Sequence, residues 1–315
     1  MSLVRKVCVT GGTGFVGSRL VEKLKCHGYT VVAPVRSQNS EADGPVVGDI
    51  DGQTDWTSVL PDVDTIIHCA GRAHIMNDNS SDPLSEFRKI NVEGTLNLAR
   101  QAIAGGVRRF VFLSSIKVNG ELTSGGEVFR ESDTPKPSDP YGISKLEAEI
   151  GLLELARHTD LEVVIVRPPL VYGPGAKGNF ASMLSLVKKH IPLPLGAVRN
   201  KRSLVALDNL IDLIITCVEH PAAINQVFLV SDGNDLSTTE LLRAVARAMG
   251  KSSRLLPIPA SVLVIGAAVL GKKAVAQRLL GSLQVDISKA RDLLDWEPPL
   301  SLEEGLFKAV ERHVD

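Results

Sequence analysis

Short runs of β-branched and aliphatic residues alternate along the chain with longer segments in which apolar residues recur at helical spacing. The short runs predict strands at residues 6–10, 30–35, 65–69, 109–114, 161–167 and 226–230. The longer segments predict helices at residues 16–27, 86–104, 141–158, 180–189, 207–219, 238–249 and 301–312. Because strands separated by helices pair side by side, the pattern predicts an α/β fold with a doubly wound parallel sheet.

Prolines and glycines become frequent after residue 172, where the chain is expected to leave the sheet. We therefore predict a sheet domain over residues 1–172 and a smaller C-terminal lobe over most of 173–315. The strand predicted at 226–230 indicates that residues 203–232 return to the sheet. The lobe would then be discontinuous in sequence.

Composition is that of an ordinary globular protein, with 44% hydrophobic and 23% charged residues. The 35 basic and 36 acidic residues nearly cancel, so net charge favours neither nucleic acid nor a membrane. The four cysteines form no CxxC pair, and the first residues show no signal-peptide pattern. These features predict a cytoplasmic protein with reduced thiols. The uncharged stretch 255–271 is short for a membrane span and contains two prolines, which predicts a buried or surface-docking helix near 261–270.

A glycine-rich turn follows the first predicted strand and precedes the first predicted helix, in the sequence Gly11-Gly12-Thr13-Gly14-Phe15-Val16-Gly17. Gly11 suits a tight turn, Gly14 lets the backbone approach a pyrophosphate, and Gly17 allows close helix packing. Because the helix start also offers N–H donors, the turn predicts a Rossmann-type dinucleotide site.

The end of the second predicted strand carries Arg36 where NAD-binding proteins of this type place a carboxylate. A guanidinium pairs with the oxygens of a 2′-phosphate, and the missing carboxylate removes the repulsion that would exclude one. The sequence therefore favours NADP(H), with NAD(H) as the other possibility.

Candidate catalytic residues lie at the start of the helix predicted at 141–158 and at the end of the strand predicted at 109–114. Tyr141 and Lys145 share a helix face, and the ammonium, together with the positive nicotinamide ring of the oxidised cofactor, is expected to lower the pKa of the phenol. Tyr141 could then exchange a proton with a substrate oxygen during hydride transfer, while Ser115 hydrogen-bonds the same oxygen.

Together these motifs resemble the extended short-chain dehydrogenase/reductase family, which contains nucleotide-sugar epimerases, dehydratases and reductases. The resemblance covers nearly the whole chain, and the segments that carry it are residues 10–17, 48–49, 68–71, 91–95, 112–120, 140–145, 167–175, 202–205 and 286–298.

The resemblance also implies roles for single residues. Asp49 would contact the adenine, Ala70 and Gly71 would lie along the cofactor with Phe15 and Val16, and Pro168 would sit near the nicotinamide. Asn179 and Arg202 match positions that hold the diphosphate of the substrate.

Departures from the family pattern reduce the number of reactions that the chain is expected to catalyse. Sugar 4,6-dehydratases resembling this family carry Thr-Asp-Glu where this chain has Ser115-Ile116-Lys117, so dehydration is not expected. Arg36, together with Asn119 where epimerases commonly have tyrosine, favours a reductase of UDP-4-keto-6-deoxy-N-acetylglucosamine in surface-polysaccharide synthesis. A UDP-hexose 4-epimerase is the main alternative, and a hydroxysteroid or small-carbonyl reductase and a non-catalytic NAD(P)-binding regulator also stay open.

The expected partners are a nucleotide sugar, here a UDP-linked one, and a second copy of the chain. By resemblance, a homodimer would form through the helices predicted at 86–104 and 141–158. The histidines show no metal-ligand spacing, so no metal is expected.

Overall fold

Six parallel strands form the central sheet in the order β2-β1-β3-β4-β5-β8. In this computed structural model the described residues are 5–38, 44–73, 82–124, 126–176 and 178–311, without the side chains of residues 179 and 274. The strands of the sheet are β1 Lys6–Thr10, β2 Thr30–Val32, β3 Thr65–His68, β4 Arg109–Leu113, β5 Glu162–Arg167 and β8 Gln226–Leu229. Two further strands, β6 Leu170–Tyr172 and β7 Leu204–Ala206, pair with each other in a separate parallel sheet.

Helices cover both faces of the central sheet and form most of the lobe. The first six are α1 Phe15–Cys26, α2 Pro83–Arg88, α3 Thr95–Ala104, α4 Pro140–His158, α5 Asn179–Lys188 and α6 Leu207–Glu219. The last five are α7 Thr238–Ala248, α8 Ala260–Val269, α9 Lys273–Leu280, α10 Ser288–Leu294 and α11 Leu302–Val310.

Alternate residues of β1 enter two different cores, as expected for a strand buried on both faces. Val7 and Val9 pack in the core that also contains residues of α1 and α6, whereas Cys8 packs in the core on the opposite face with residues of α3 and α4. A third core, built mainly from α5, α7 and α11, forms the lobe. The doubly wound parallel sheet that the sequence predicts is therefore confirmed.

The observed elements differ from the predicted ones where a proline ends a strand, where a helix is interrupted, and where short elements were not predicted. The strand predicted at 30–35 ends at Val32, because Pro34 cannot donate to a ladder, and Val35 makes only an isolated parallel bridge with Val46. The helix predicted at 86–104 is interrupted by a π-helical turn at Lys89–Gly94. The pattern also missed β6, β7, α9 and α10, which are short.

Within residues 203–232, β8 joins the central sheet beside β5, whereas β7 pairs with β6 outside it. Helix α6 lies between them and packs on α1 at the sheet. The division of the chain at residue 173 stays a prediction.

Candidate functional site

The glycine-rich turn places the end of β1 against the end of β3. Gly11 has φ +70°, and a Cβ there would lie 2.8 Å from the backbone nitrogen of Ala70. A Cβ at Gly17 would lie 2.1 Å from the carbonyl oxygen of Gly11. Because neither position has room for a side chain, the turn keeps its tight form only with glycine at both places.

Helix α1 begins at this turn with its N–H groups directed to the edge of the sheet. Gly14 occupies the N-cap position in extended conformation and has no side chain with which to cap the helix. The first turn contains Phe15, Val16 and Gly17 and no acidic residue, so its N–H donors and the helix dipole suit an anion. The residues here fit the diphosphate of a dinucleotide.

A chain of hydrogen bonds fixes the end of β3 beside the turn. Thr10 Oγ1 lies 2.7 Å from His68 Nδ1, and His68 Nε2 lies 3.0 Å from Thr95 Oγ1. Burial lowers the pKa of His68 to about 3, with the nearby Lys145 ammonium adding to the effect, so the imidazole is neutral. The segment Ala70-Gly71 is thereby held next to Gly11, as a path along a cofactor requires.

Asn91, in the π-helical turn, connects that segment to α4. Its Oδ1 accepts from the Arg72 backbone N–H at 2.8 Å, and its Nδ2 donates to Ser144 Oγ at 2.9 Å. Ser144 in turn donates to the Tyr141 carbonyl at 2.8 Å. Asn91 therefore sets the distance between the predicted cofactor path and the start of α4.

Ser115, Tyr141 and Lys145 come together at the carboxyl end of β4. The Ser115 hydroxyl lies close enough to the Tyr141 phenol to act on its pKa. Lys145 is buried, donates to the Leu113 carbonyl at 2.9 Å, and lies 6.0 Å from the centre of the Tyr141 ring. A Cβ at Gly71 would lie 3.5 Å from Lys145 Nζ, so the lysine also borders the predicted cofactor path.

The start of α4 is fixed by a cap and an ion pair. Asp139 accepts from the Gly142 N–H at 2.6 Å and also pairs with the Lys117 ammonium. Lys117 follows Ser115 by two residues, so the pair ties the turn after β4 to the beginning of the tyrosine helix. The position where dehydratases carry a carboxylate is here a cation with a structural partner.

The protein groups around Tyr141 keep its phenol protonated. Burial raises the pKa of Tyr141 to about 12, and the nearby Ser115 hydroxyl opposes the rise. Lys145 does not offset the rise, because its ammonium donates to Leu113 and lies 4.4 Å from the centre of the Phe112 ring. The phenol is therefore protonated at neutral pH and placed to donate. The predicted lowering of its pKa, which also relies on the positive nicotinamide ring of an oxidised cofactor, stays a prediction.

Burial lowers the pKa of Lys145 to about 8, against its usual 10.5. A charge held in a dry site destabilises the fold below pH 8, and the penalty disappears between pH 8 and 10.5 as the folded lysine loses its proton before the unfolded one. Removal of the buried charge in Lys145→Met should by itself contribute up to about 3 kcal/mol to the free energy of unfolding at pH 7, at about 1.4 kcal/mol per pKa unit. Urea unfolding of both proteins at pH 7 to 10 measures the difference.

Relative to wild type, the stability of Lys145→Met should fall as the pH rises above 8, because only the wild type is relieved of a buried charge. The unsatisfied Leu113 carbonyl lowers the stability of the variant by about 1–3 kcal/mol at every pH, so the change of the difference with pH is the quantity that tests the prediction. A difference that does not change with pH would contradict a buried, charged Lys145.

A buried polar network lies behind the site, and sequence reasoning missed it. Glu149 accepts from Ser114 Oγ and pairs with Arg167, whose Nη2 lies 2.5 Å from Glu149 Oε2. Arg167 Nη1 also donates to Asn119 Oδ1 at 2.9 Å. The one local signal was that Glu149 stands four residues after Lys145 on the same helix face. The network joins β4, β5 and α4 directly beneath Ser115.

Arg36 and Asp49, predicted to contact different parts of the cofactor, pair with each other. Arg36 Nε lies 2.9 Å from Asp49 Oδ1, and the two side chains are 79% and 80% exposed. Both stand past the carboxyl end of β2, on the side of β1 away from Tyr141. The geometry leaves both able to meet the adenosine end of a dinucleotide.

The remaining predicted residues lie toward the lobe. The Pro168 carbonyl accepts from the Ile116 N–H at 3.0 Å, which ties the end of β5 to the turn containing Ser115. Asn179 begins α5, but its side chain lies outside the described residues. Arg202 donates through Nη1 to the carbonyls of Arg278 and Gly281 at 2.8 and 3.2 Å, and burial lowers its pKa.

Among the described residues, no group of three or more His, Cys, Asp or Glu side chains could hold a metal ion. None of the helices in the described ranges is both long and apolar enough to cross a membrane.

The sequence matches a family of known proteins and is similar to a known relative over nearly its whole length. The model of the NAD-dependent epimerase/dehydratase family matches residues 7–231. The chain is 49% identical to a UDP-glucose 4-epimerase of Vibrio cholerae, over 98% of this chain and 95% of the relative.

Two solved structures share the fold and differ in the dinucleotide they contain. UDP-glucuronic acid 4-epimerase from Bacillus cereus, in complex with NAD, has a TM-score of 0.76 and 23% identity, covering 97% of this chain and 96% of that one. RMD from Pseudomonas aeruginosa, complexed with NADPH, has a TM-score of 0.76 and 20% identity, covering 98% of this chain and 99% of that one.

Proposed function

Because this chain belongs to the NAD-dependent epimerase/dehydratase family, we propose that it is an NAD(P)-dependent enzyme that inverts C4 of a UDP-hexose. The observation that carries the proposal is the 49% identity, over nearly the whole chain, to a UDP-glucose 4-epimerase. The sequence alone favoured the reductase, and the relatives support the epimerase better.

The site supplies what this reaction needs from the protein. When bound, the dinucleotide supplies a reversible hydride acceptor for C4. As the phenolate, which the positive nicotinamide ring of an oxidised cofactor would favour, Tyr141 takes the proton of the 4-hydroxyl as the carbonyl forms. As the phenol, it returns that proton when the alcohol re-forms. Ser115, which stands beside Tyr141, would hold the same sugar oxygen in place, and Lys145 borders both Tyr141 and the predicted cofactor path.

The structure weakens the argument for the reductase that rests on Asn119. Asn119 stands where epimerases commonly have tyrosine, but it is buried and hydrogen-bonded to Arg167 and to the Arg130 carbonyl. Its side chain therefore has a structural role beneath the site, and its identity is weak evidence about the substrate. Arg36 stays the specific observation that favours a reductase of UDP-4-keto-6-deoxy-N-acetylglucosamine.

The test is to incubate the purified protein with UDP-galactose or UDP-N-acetylgalactosamine, without added cofactor, and to identify the sugar by NMR. We expect conversion to the gluco epimer until equilibrium is reached. Stoichiometric oxidation of NADPH by UDP-4-keto-6-deoxy-N-acetylglucosamine, without epimerisation, would instead support the reductase. A bound dinucleotide without either reaction would support a regulator.

We further propose that Arg36 reads the 2′-position of the dinucleotide, with NADP(H) favoured over NAD(H). Arg36→Asp should weaken NADPH binding by about 10- to 100-fold, the effect of one charged hydrogen bond, and change NADH binding little. Fluorescence titration with each dinucleotide measures both dissociation constants. Asp49→Asn is the matched control, because it removes the ion partner of Arg36 and keeps the guanidinium. An unchanged NADPH-to-NADH ratio in Arg36→Asp would show that Arg36 does not read the phosphate.

The assembly and location remain part of the proposal. We propose a cytoplasmic homodimer in which α4 and the helices between residues 83 and 104 meet their copies. On α4, Ile150 is an exposed apolar residue, which supports a contact surface on this helix.

A further inference from the structure

Helix α8 is apolar on every side, yet it lies at the surface of the lobe. The helix contains no charged residue, and none of its residues is buried. Ile265 is 65% exposed and Val269 is 82% exposed. Leu263 packs partly against the lobe core, so the helix is attached along one stripe and leaves the rest of its apolar surface uncovered. An exposed apolar surface of this kind marks a site of interaction.

Charge around this helix differs from that of the whole chain. Residues 241–285 contain seven lysines and arginines and no aspartate or glutamate, although basic and acidic residues nearly cancel overall. Five of these cations flank α8, and they are Lys251, Arg254, Lys272, Lys273 and Arg278. Within the described ranges, none of these five forms an ion pair with a carboxylate.

Lys272 and Lys273 stand at the turn between α8 and α9, and both are exposed. Their ammonium groups are therefore next in sequence to the most exposed apolar residues, Val269 and Leu270. An apolar surface bordered by unpaired cations suits a partner that is apolar inside and anionic at its boundary. A lipid bilayer with anionic headgroups has this chemistry.

We propose that α8 and the α8–α9 turn dock the protein on an anionic membrane surface. At 1.5 Å per residue the ten residues of α8 extend about 15 Å, half of the hydrocarbon thickness, so the helix lies in the interface and does not span it. A second copy of the chain is a poorer occupant. In a two-fold contact each patch meets itself, and the flanking cations would then repel each other.

Sedimentation with lipid vesicles tests the proposal on the full chain. The wild type should sediment with vesicles that contain phosphatidylglycerol, and much less with pure phosphatidylcholine or at high salt. Ile265→Ser/Val269→Ser should lower the bound fraction at least about tenfold, since two exposed apolar side chains no longer enter the lipid. Lys272→Glu/Lys273→Glu should lower binding to phosphatidylglycerol vesicles at least about 25-fold, the effect of two lysines near an anionic surface.

Matched controls place equivalent changes elsewhere on the surface. Phe307→Ser removes an apolar side chain that is 58% exposed on α11, and Lys23→Glu/Lys25→Glu reverses two charges in the last turn of α1. Neither control should change vesicle binding. All variants are checked for folding by circular dichroism and thermal unfolding.

Three outcomes would overturn the proposal. They are a wild type that stays in the supernatant with phosphatidylglycerol vesicles at low salt, vesicle binding that the α8–α9 variants leave unchanged, and a dimer in solution that Ile265→Ser/Val269→Ser converts to monomer. The last outcome would make α8 an interface between copies. None of these measurements uses enzyme activity, so the result is independent of the proposed function.

Discussion

Tyr141→Phe is expected to lower turnover about 1000-fold and to leave dinucleotide binding nearly unchanged. The phenol is the group placed to exchange a proton with the sugar oxygen, and general acid–base catalysis of this kind contributes about 10²–10⁴-fold. Ring packing should survive, since the Phe87 and Tyr141 rings lie 6.1 Å apart and phenylalanine keeps that contact. The measurement is single-turnover conversion of UDP-galactose, with the dinucleotide content of the variant determined separately.

Tyr29→Phe provides the matched control for this change. The Tyr29 hydroxyl donates to Glu219 at 2.6 Å on the exposed surface, so the same atom is removed far from the site. Turnover of Tyr29→Phe should equal that of the wild type. A Tyr141→Phe enzyme that turns over as fast as this control would rule out the proton-exchange role of Tyr141.

The parts of the fold that sequence predicted are those set by local pattern. The bounds of β1 and α6 match the observed elements residue for residue, because each is an uninterrupted apolar or periodic segment. The pairing of Tyr141 with Lys145 also follows from helical spacing alone. Fold class, cofactor turn and catalytic residues can therefore be proposed from the sequence.

Other features depend on residues distant in sequence and left no local signal. The π-helical turn containing Asn91 is stabilised by contacts with residues 72 and 144, which no periodicity connects. The pKa of Tyr141 depends on burial, which spacing does not report. The sequence predicted that helix α8 is either buried or docked on a surface. It could not decide between the two, because an apolar helix without a polar face does not indicate which side faces the solvent.

No local pattern in the sequence predicts the buried ion pair beneath the active site. Arg167 and Glu149 are only 4% and 2% exposed, and they come from a strand and a helix that are adjacent only in the folded protein. Two charges removed from water are stable only while they pair with each other and with polar neighbours. Glu149 has Ser114 and Arg167, and Arg167 also has Asn119. The network should therefore be sensitive to the loss of either ion.

Arg167→Met is accordingly expected to lower the free energy of unfolding by about 3–5 kcal/mol, because it leaves the Glu149 carboxylate buried without its cation. Urea unfolding at pH 7 measures the loss, and Arg157→Met is the matched control. Arg157 pairs with Glu154 on the exposed side of α4, where an ion pair contributes little to stability, so this variant should unfold at nearly the same urea concentration as wild type.

A double variant separates loss of the ion pair from loss of arginine packing. Glu149→Leu/Arg167→Met removes both charges together, so it should recover a large part of the stability that Arg167→Met loses. Recovery should be incomplete, since Ser114 and Asn119 each lose a buried hydrogen-bond partner, at about 1–3 kcal/mol each. A double variant no more stable than Arg167→Met would show that packing of the arginine, and not the uncompensated carboxylate, explains the loss.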